Sequence, residues 1–244
     1  EESIMNVSIG ANQIPIQEKK DGATYAPRGT RNLVCEPGQF RVGVIGLDHG
    51  HIVGMCNGLA EAGGEICIIH PANNRSPEEN AEMYLELLPF AKDCGVKIAT
   101  ENMWNWHAGD ECSSFAACST SESFCRHLDA VNDEFLVACL DIGHAEMRGS
   151  GSGAVNMIRA LGSKLQALHL HDCDKLHDSH QIPFSMNVDF DAVVKALKEI
   201  HYSGWFTLES TDYLSSFDKD TVFTGVCNMA DAAKKLAEMF DSLA

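Results

Sequence analysis

The sequence lacks any apolar run of the roughly 18–20 residues that a membrane span requires. Its opening residues, from Glu1 to Met5, contain neither a basic segment nor an apolar core, so we expect no secretory signal peptide. The 244 residues are 45% hydrophobic and 22% charged, which is typical of a globular protein. These features predict a protein without a membrane partner and long enough to form one α/β barrel or two small domains.

Basic residues are scarce, since 18 lysines and arginines face 35 aspartates and glutamates, for a net charge of −17. A surface this acidic repels phosphate backbones and anionic membranes. We therefore expect no nucleic-acid partner. The same charge is compatible with a protein that concentrates cations.

Paired cysteine spacings are also missing, because the ten cysteines include no C-x-x-C. Several, such as Cys67 and Cys139, lie inside apolar runs. This pattern predicts free and mostly buried thiols in a reducing cytoplasm.

Residues 1–40 differ in character from the rest of the chain. They contain one short apolar alternation, at residues 5–11, followed by a polar stretch rich in turn-forming residues. We predict an irregular N-terminal segment with one short strand over 1–40. A (β/α) barrel over 41–244 follows it, with 41–64 as an atypical βα unit.

From residue 65 onward, apolar strands alternate with amphipathic helices. Predicted strands cover residues 65–70, 96–101, 135–141, 165–171 and 205–209, and predicted helices cover 77–94, 122–132, 154–162, 190–200 and 229–243. The first helix has clear ends, with Ser76 as N-cap, Pro77 in the first turn and Gly95 as the stop. A Ser- and Cys-rich loop is expected over 107–122. This alternation predicts an α/β fold with parallel strands and right-handed crossovers.

Ionisable side chains end four of these strands. They are Glu101, Asp141, His171 and Glu209, and His169 lies two residues before His171 on the same face. In a (β/α) barrel all C-terminal strand ends meet at one face, so these residues would converge. Three buried carboxylates require compensation, which a divalent cation provides. Oxygen ligands with one nitrogen suit Mn²⁺, Mg²⁺, Co²⁺ or Zn²⁺, and the lack of a thiolate set argues against a structural zinc.

Several motifs occur together in a recognisable order. They are Ile68-Ile-His-Pro71, Val96-Lys-Ile-Ala-Thr-Glu-Asn102, Leu140-Asp-Ile-Gly-His144, Leu168-His-Leu-His-Asp172, His180-Gln-Ile-Pro183 and Tyr202-Ser-Gly-Trp-Phe-Thr-Leu-Glu209. With these motifs, residues from about 65 to 244 resemble the xylose isomerase-like TIM-barrel superfamily of sugar phosphate isomerases and epimerases. The resemblance implies one divalent cation on Glu101, Asp141, His171 and Glu209. It further implies substrate contacts from His144, His180, His70 and His169.

The resemblance implies metal-dependent isomerisation or epimerisation of a ketose or related sugar. Proton transfer would pass through a metal-bound enediolate, with Glu101 and Glu209 as the proton-transferring pair. The same enolising site could instead expel a β-leaving group, so a dehydratase or lyase is an alternative. The abasic-site endonuclease branch of the fold is disfavoured by the acidic surface.

Residues 1–64 instead resemble the start of glucose–fructose oxidoreductase-like dehydrogenases. Their Gly46-Leu-Asp-His-Gly50 departs from the G-x-G-x-x-G fingerprint, because Asp48 would face a pyrophosphate. We expect no dinucleotide cofactor, although a nicotinamide-dependent oxidoreductase fragment stays an alternative. A barrel that is incomplete or atypical in its first strands has an unpaired edge, which favours a homo-oligomer. The remaining alternative for the function is a degenerate barrel without catalytic activity.

Overall fold

The structure, a computed structural model, describes residues 64–243. Its strands are β1 (Ile66–Ile69), β2 (Lys97–Glu101), β3 (Asn105–His107), β4 (Cys112–Ser114), β5 (Leu136–Asp141) and β6 (Leu165–His169). Its helices are α1 (Pro77–Cys94), α2 (Ser121–Val131), α3 (Ile142–Glu146), α4 (Ala154–Leu161), α5 (Phe190–Glu199), α6 (Thr211–Ser215) and α7 (Val222–Ser242). The predicted strand at 5–11, the boundary at residue 40 and residues 41–63 of the predicted βα unit lie outside the described residues.

Four strands form one parallel sheet in the order β1-β2-β5-β6. Each of them pairs with the next parallel strand along the chain, as in a (β/α) barrel, whereas a doubly wound sheet reverses its order. A parallel bridge between Leu170 and Leu208 places residues 205–209 next in this series. The described region thus shows the predicted α/β architecture, with the carboxyl ends of the strands at one edge.

The helices cover the sheet through apolar stripes. In α4 the buried residues Ala154, Met157, Ile158 and Leu161 recur at helical spacing and belong to the main core. All six residues of β5 are buried, which is typical of a central parallel strand. Within residues 64–243, none of the helices has the length and apolar character needed to cross a membrane.

The predicted ends of α1 are confirmed. Ser76 accepts a hydrogen bond from the Glu79 N–H, and the Glu79 carboxylate accepts one from the Ser76 N–H, forming a capping box. Gly95 ends the helix with φ +69°, a left-handed conformation that glycine adopts without steric cost. The eight cysteines among the described residues are all free, as the sequence predicts.

Four sequence predictions need correction. The predicted loop at 107–122 contains part of an antiparallel hairpin, β3–β4, whose three-residue strands are too short to show a period. The predicted strand at 205–209 is reduced to one bridge at Leu208, and β6 ends at His169, so that His171 lies beyond it. The last helix begins at Val222 and not at residue 229. Helices α3 and α6 were not predicted, because five residues carry little helical periodicity.

The turn after β1 depends on one buried side chain, Asn80 of α1. Its Oδ1 accepts a hydrogen bond from the Ala72 N–H at 2.9 Å, and its Nδ2 donates to the Ala72 carbonyl at 3.1 Å. Its Nδ2 also lies 3.2 Å from His127 Nε2 on α2. Asn80 therefore fixes the segment that follows His70, together with the contact between the two helices.

We expect Asn80→Ala to lower the free energy of unfolding by about 1–3 kcal/mol, because the partly buried backbone groups of Ala72 would lose their partner. Urea unfolding followed by circular dichroism measures this change. Glu82→Ala is the matched control, since Glu82 is exposed on the same helix. Equal unfolding midpoints for the two variants would show that this turn does not depend on Asn80.

Candidate active site

The ionisable residues that end the parallel strands lie together at one edge of the sheet. Glu101 is the last residue of β2, Asp141 of β5 and His169 of β6. The Glu209 N–H donates to the Leu170 carbonyl at 3.0 Å, which brings Glu209 beside them. Glu101 and Asp141 are almost fully buried, with 2% and 0% of their surface exposed. Charged groups are buried in this way only where partners compensate them.

One cluster consists of Glu101, Asp141, His169 and Glu209. One potential ligand atom from each residue lies within 4.8 Å of the others. His169 Nδ1 lies 3.2 Å from Glu101 Oε1 and 2.8 Å from Glu209 Oε2, so it bridges the two glutamates. This cluster contains three of the four residues that the sequence predicts as metal ligands, with His169 in the place expected for His171.

The predicted ligand His171 contacts the same cluster through Asp141 alone. Its Nε2 lies 3.0 Å and 3.1 Å from the two carboxylate oxygens of Asp141. On its other side, its ring stacks on His180 at 4.3 Å. His171 thus connects the first cluster to a second one, of which it is a member.

The second cluster consists of His144, His171, Asp178 and His180, again with ligand atoms within 4.8 Å. Asp178 Oδ2 lies 3.2 Å from His144 Nε2 and 3.0 Å from His180 Nε2, and it accepts a hydrogen bond from Trp104 Nε1 at 3.2 Å. The sequence analysis missed Asp178 and Trp104. The signal for Asp178 was its spacing, two residues before His180 in the polar loop that follows β6.

Backbone contacts orient both imidazoles of this cluster. His144 Nδ1 donates to the Asn102 carbonyl and His180 Nδ1 donates to the Glu209 carbonyl, each at 2.8 Å. Both rings therefore direct Nε2 at Asp178. A backbone carbonyl on one ring nitrogen commonly prepares the other nitrogen to bind a metal.

Two residues that the sequence analysis did not select shape the floor of the site. The Asn102 side chain pairs with the Asp141 backbone, since its Nδ2 donates to the carbonyl at 2.9 Å and its Oδ1 accepts from the N–H at 2.8 Å. A Cβ on Gly143 would lie 2.0 Å from the His171 ring, so only glycine fits there. Both hold Asp141 and His171 in their relative positions.

The site forms one electrostatic unit. Burial alone would raise the pKa of Glu101, but the hydrogen bond from His169 and the ion-pair contact with His70 outweigh burial and lower it. Burial likewise opposes the charge on Asp141, yet the neighbouring His144 and His171 hold its pKa below the usual range. The acidic partners in turn overcome the burial of two imidazoles and raise the pKa of His144 to about 10 and that of His180 to about 9. Without a metal, carboxylates and imidazolium ions therefore neutralise each other at pH 7.

The first cluster fits a divalent cation. Glu101 Oε2 is buried and makes no hydrogen bond among the described residues, although His70 Nε2 lies 3.3 Å away at ion-pair distance. A buried carboxylate oxygen with an unused lone pair is a preferred ligand of hard cations. Asp178 Oδ1 in the second cluster is likewise buried and makes no hydrogen bond among the described residues, although His171 Nε2 lies 3.6 Å away at ion-pair distance.

All eight residues predicted for the site belong to one connected network. His70 reaches Glu101, His169 joins Glu101 to Glu209, and His180 contacts the Glu209 backbone. Asp178 connects His180 to His144, and His171 connects this group to Asp141. The folded chain therefore brings together the residues that the sequence predicts as metal ligands and as proton-transferring groups.

Known proteins provide an independent comparison. A family profile described as a xylose isomerase-like TIM barrel matches residues 52–243. An uncharacterised protein of Methanocaldococcus jannaschii is 28% identical over 162 residues, which is 63% of this chain and 53% of the relative. An uncharacterised protein of Sinorhizobium fredii is 30% identical over 79 residues, or 32% of this chain and 25% of the relative. The chain thus spans about half the length of the first relative and a quarter of the second.

Solved structures show the same fold. A D-tagatose 3-epimerase-like protein matches with a TM-score of 0.59 at 22% identity, covering 77% of this chain and 68% of its own. The IOLI protein with a bound zinc atom matches with a TM-score of 0.61 at 20% identity. The match covers 78% of this chain and 69% of the IOLI chain. The 3-keto-D-glucoside 4-epimerase YcjR of E. coli matches with a TM-score of 0.57 at 16% identity. The match covers 76% of this chain and 68% of the epimerase chain. With the profile match over most of the chain, the sequential parallel strands and the strand-end cluster, the chain belongs to the xylose isomerase-like TIM-barrel family.

Proposed function

We propose that the chain is a divalent-metal-dependent sugar isomerase or epimerase that acts on a ketose or a related sugar. The observation that carries this proposal is the pair Glu101 and Glu209, held on either side of His169 Nδ1 beside Asp141. Two carboxylates that share a site with a cation can remove and return a proton next to a carbonyl. The structural neighbours include sugar epimerases, which supports a sugar as the substrate.

Glu101, Asp141 and Glu209 would hold the cation together with His171. His171 is chosen because its Nδ1 faces the Asp172 carbonyl at 3.4 Å and its Nε2 faces both oxygens of Asp141. The cation, which could be Mn²⁺, Mg²⁺, Co²⁺ or Zn²⁺, supplies a Lewis acid that polarises the substrate carbonyl. The IOLI structure contains zinc, which supports a divalent ion without selecting the element for this chain.

The side chains of the site would divide the remaining work. One glutamate takes the proton from the carbon next to the carbonyl, and the other returns a proton to the opposite face or to the adjacent carbon. Return to the opposite face of the same carbon gives epimerisation, whereas return to the adjacent carbon gives isomerisation. His70, His144 and His180 would bind substrate hydroxyls, with His169 keeping the two glutamates in place.

The cytoplasm remains our prediction for the location of the protein. The free cysteines of the described region support a reducing compartment. Self-association through an unpaired barrel edge likewise stays a prediction.

Elimination by the same residues is a second candidate. A substrate with a leaving group one carbon beyond the acidic C–H would lose it after proton removal, which gives dehydratase or lyase chemistry. Product analysis separates the two reactions, because elimination creates a double bond and isomerisation does not. The oxidoreductase alternative depends on residues 41–62, outside the described region.

The second cluster favours a further candidate, a site with two cations. His144 and His180 both direct Nε2 at Asp178, whose Oδ1 makes no hydrogen bond among the described residues. Two metals close together activate water and suit hydrolysis. A content of two metals per chain, with hydrolysis of a sugar phosphate, would favour this reading over an isomerase with one metal.

Glu101→Gln and Glu209→Gln test the proposed proton transfer. We expect each to reduce ketose turnover by about 10²- to 10⁴-fold, the usual contribution of a positioned general acid or base. Exchange of solvent deuterium into D-fructose, D-tagatose and D-allulose measures this step, with metal content determined by mass spectrometry on the same samples. Glu199→Gln is the control, since Glu199 is exposed and pairs with Arg159. A folded wild type that binds no metal and exchanges no deuterium would refute the proposed function.

His171→Asn and His169→Asn test which imidazole is the ligand. We expect His171→Asn to lower metal affinity by at least about tenfold, because a direct ligand is lost. His169→Asn should retain metal and lose turnover, because Glu101 and Glu209 lose the group between them. Metal titration by isothermal calorimetry measures both affinities. The reverse pattern would identify His169 as the ligand.

Asp178→Asn tests the charge coupling of the second cluster in the metal-free protein. We expect the pKa of His180 to fall towards 6.5 and that of His144 to fall less, because Asp141 continues to raise it; NMR titration of the imidazole protons measures both. Because their pKa values are raised by folding, these histidines stabilise the wild type fully below pH 6.5 and lose that effect as pH rises through 9–10. Between pH 6.5 and about 10, the Asp178→Asn variant should therefore lose less stability than the wild type does.

Asp174→Asn is the matched control for this prediction. Asp174 contacts His177 at 2.7 Å in the same loop and belongs to neither cluster. It should leave the titration of His144 and His180 unchanged. Equal titration curves in wild type and Asp178→Asn would contradict the coupling.

A further inference from the structure

The hairpin β3–β4 carries a half-exposed tryptophan at the edge of the site. Trp106 is 43% exposed, and its ring stacks on His177 with centroids 5.7 Å apart and planes 18° apart. His177 directly precedes Asp178, and Trp104, two residues before Trp106, donates to the Asp178 carboxylate. The Trp106–His177 pair is therefore joined on both sides to the second cluster.

The hairpin is held firmly to the rest of the fold. Ser113 Oγ donates to the Arg148 carbonyl at 2.9 Å and lies 2.8 Å from Ser150 Oγ. A Cβ on Gly149 would lie 1.9 Å from the Ser113 carbonyl oxygen, so the two segments approach as closely as glycine permits. On the other strand, Asn73 Nδ2 donates to Asn105 Oδ1 at 3.3 Å. Trp106 is thus a large aromatic surface on a hairpin that hydrogen bonds hold in place.

His177 is also held in one orientation. Its Nδ1 lies 2.7 Å from Asp174 Oδ2, and its backbone N–H donates to Asp174 Oδ1 at 2.7 Å. Its Nε2 makes no hydrogen bond to any described residue, and the side chain is 59% exposed. The pair therefore offers an aromatic face next to an available ring nitrogen.

This combination suits a sugar ring. A pyranose has an apolar C–H face that packs on an indole and a rim of hydroxyls that bind an imidazole nitrogen. A fixed aromatic surface loses little conformational freedom when it binds a ring. A single ketose bound at Glu101 and Glu209 has no second ring that could pack on Trp106.

We propose that Trp106 and His177 form a subsite for a second ring, and that the substrates are keto-sugars that carry a glycosyl group. The reacting sugar would lie at Glu101 and Glu209, and the attached sugar would stack on Trp106. This inference rests on the proposed function, whose site it extends. It assigns specificity to the hairpin and chemistry to the strand ends.

The test compares D-fructose with isomaltulose, a disaccharide that ends in a fructose unit able to open to its keto form. In Trp106→Ala we expect KM for isomaltulose to rise about three- to tenfold, the usual contribution of an aromatic stack, with kcat retained. The kinetics with D-fructose should not change. Trp106→Phe should recover most of the isomaltulose affinity.

Phe115→Ala is the matched control, since Phe115 follows β4 and is 70% exposed without an aromatic contact to His177. Calorimetric binding of both sugars to the Mn²⁺-loaded protein separates the subsite from catalysis. Preferential binding of isomaltulose that Trp106→Ala abolishes supports the subsite, even if neither sugar is turned over and the proposed function fails. Equal effects of Trp106→Ala on the two sugars, or no effect on either, would overturn the inference.

Discussion

Charge neutrality at the carboxyl ends of the parallel strands is the constraint on which the site depends. Glu101 and Asp141 are buried at positions where an isolated carboxylate would be strongly destabilised. The fold surrounds them with imidazoles, so that His169 contacts Glu101 and His171 contacts Asp141. Since removing one partner leaves a buried charge, each of these residues constrains its neighbours. A cation in the first cluster would satisfy the same requirement and release the protons of the imidazoles.

The backbone is arranged around this requirement. Parallel pairing aligns the ends of β2 and β5, and the Asn102 side chain continues that pairing by bonding both backbone groups of Asp141. Asp141 in turn accepts from the His144 N–H, which starts α3 and brings a further imidazole to the site. Gly143 leaves space for the His171 ring. Local hydrogen bonding and charge compensation therefore act on the same few residues.

The proposed chemistry and the proposed specificity belong to different parts of the structure. The ends of β2 and β5 carry Glu101 and Asp141, whereas the hairpin and the loop after β6 carry Trp106, His177 and Asp178. Loops that vary on a constant frame are the usual way in which this barrel adapts to different substrates. The proposed glycoside subsite follows this division, since it would change what binds without altering the groups proposed to transfer protons.

Much of this protein was determined by the sequence alone. Apolar periodicity and helix caps predicted β2, β5 and α1. The positions of Glu101 and Asp141 followed, because the local sequence pattern is sufficient to locate the end of a strand. Tertiary structure decided which imidazole lies between Glu101 and Glu209. An irregular register between β5 and β6 pairs Asp141 with His169, and nothing in the H-x-H motif encodes that offset. Asp178 and the hairpin with Trp106 were missed for a related reason, since loops have no repeating pattern and their side chains acquire partners only when distant segments meet.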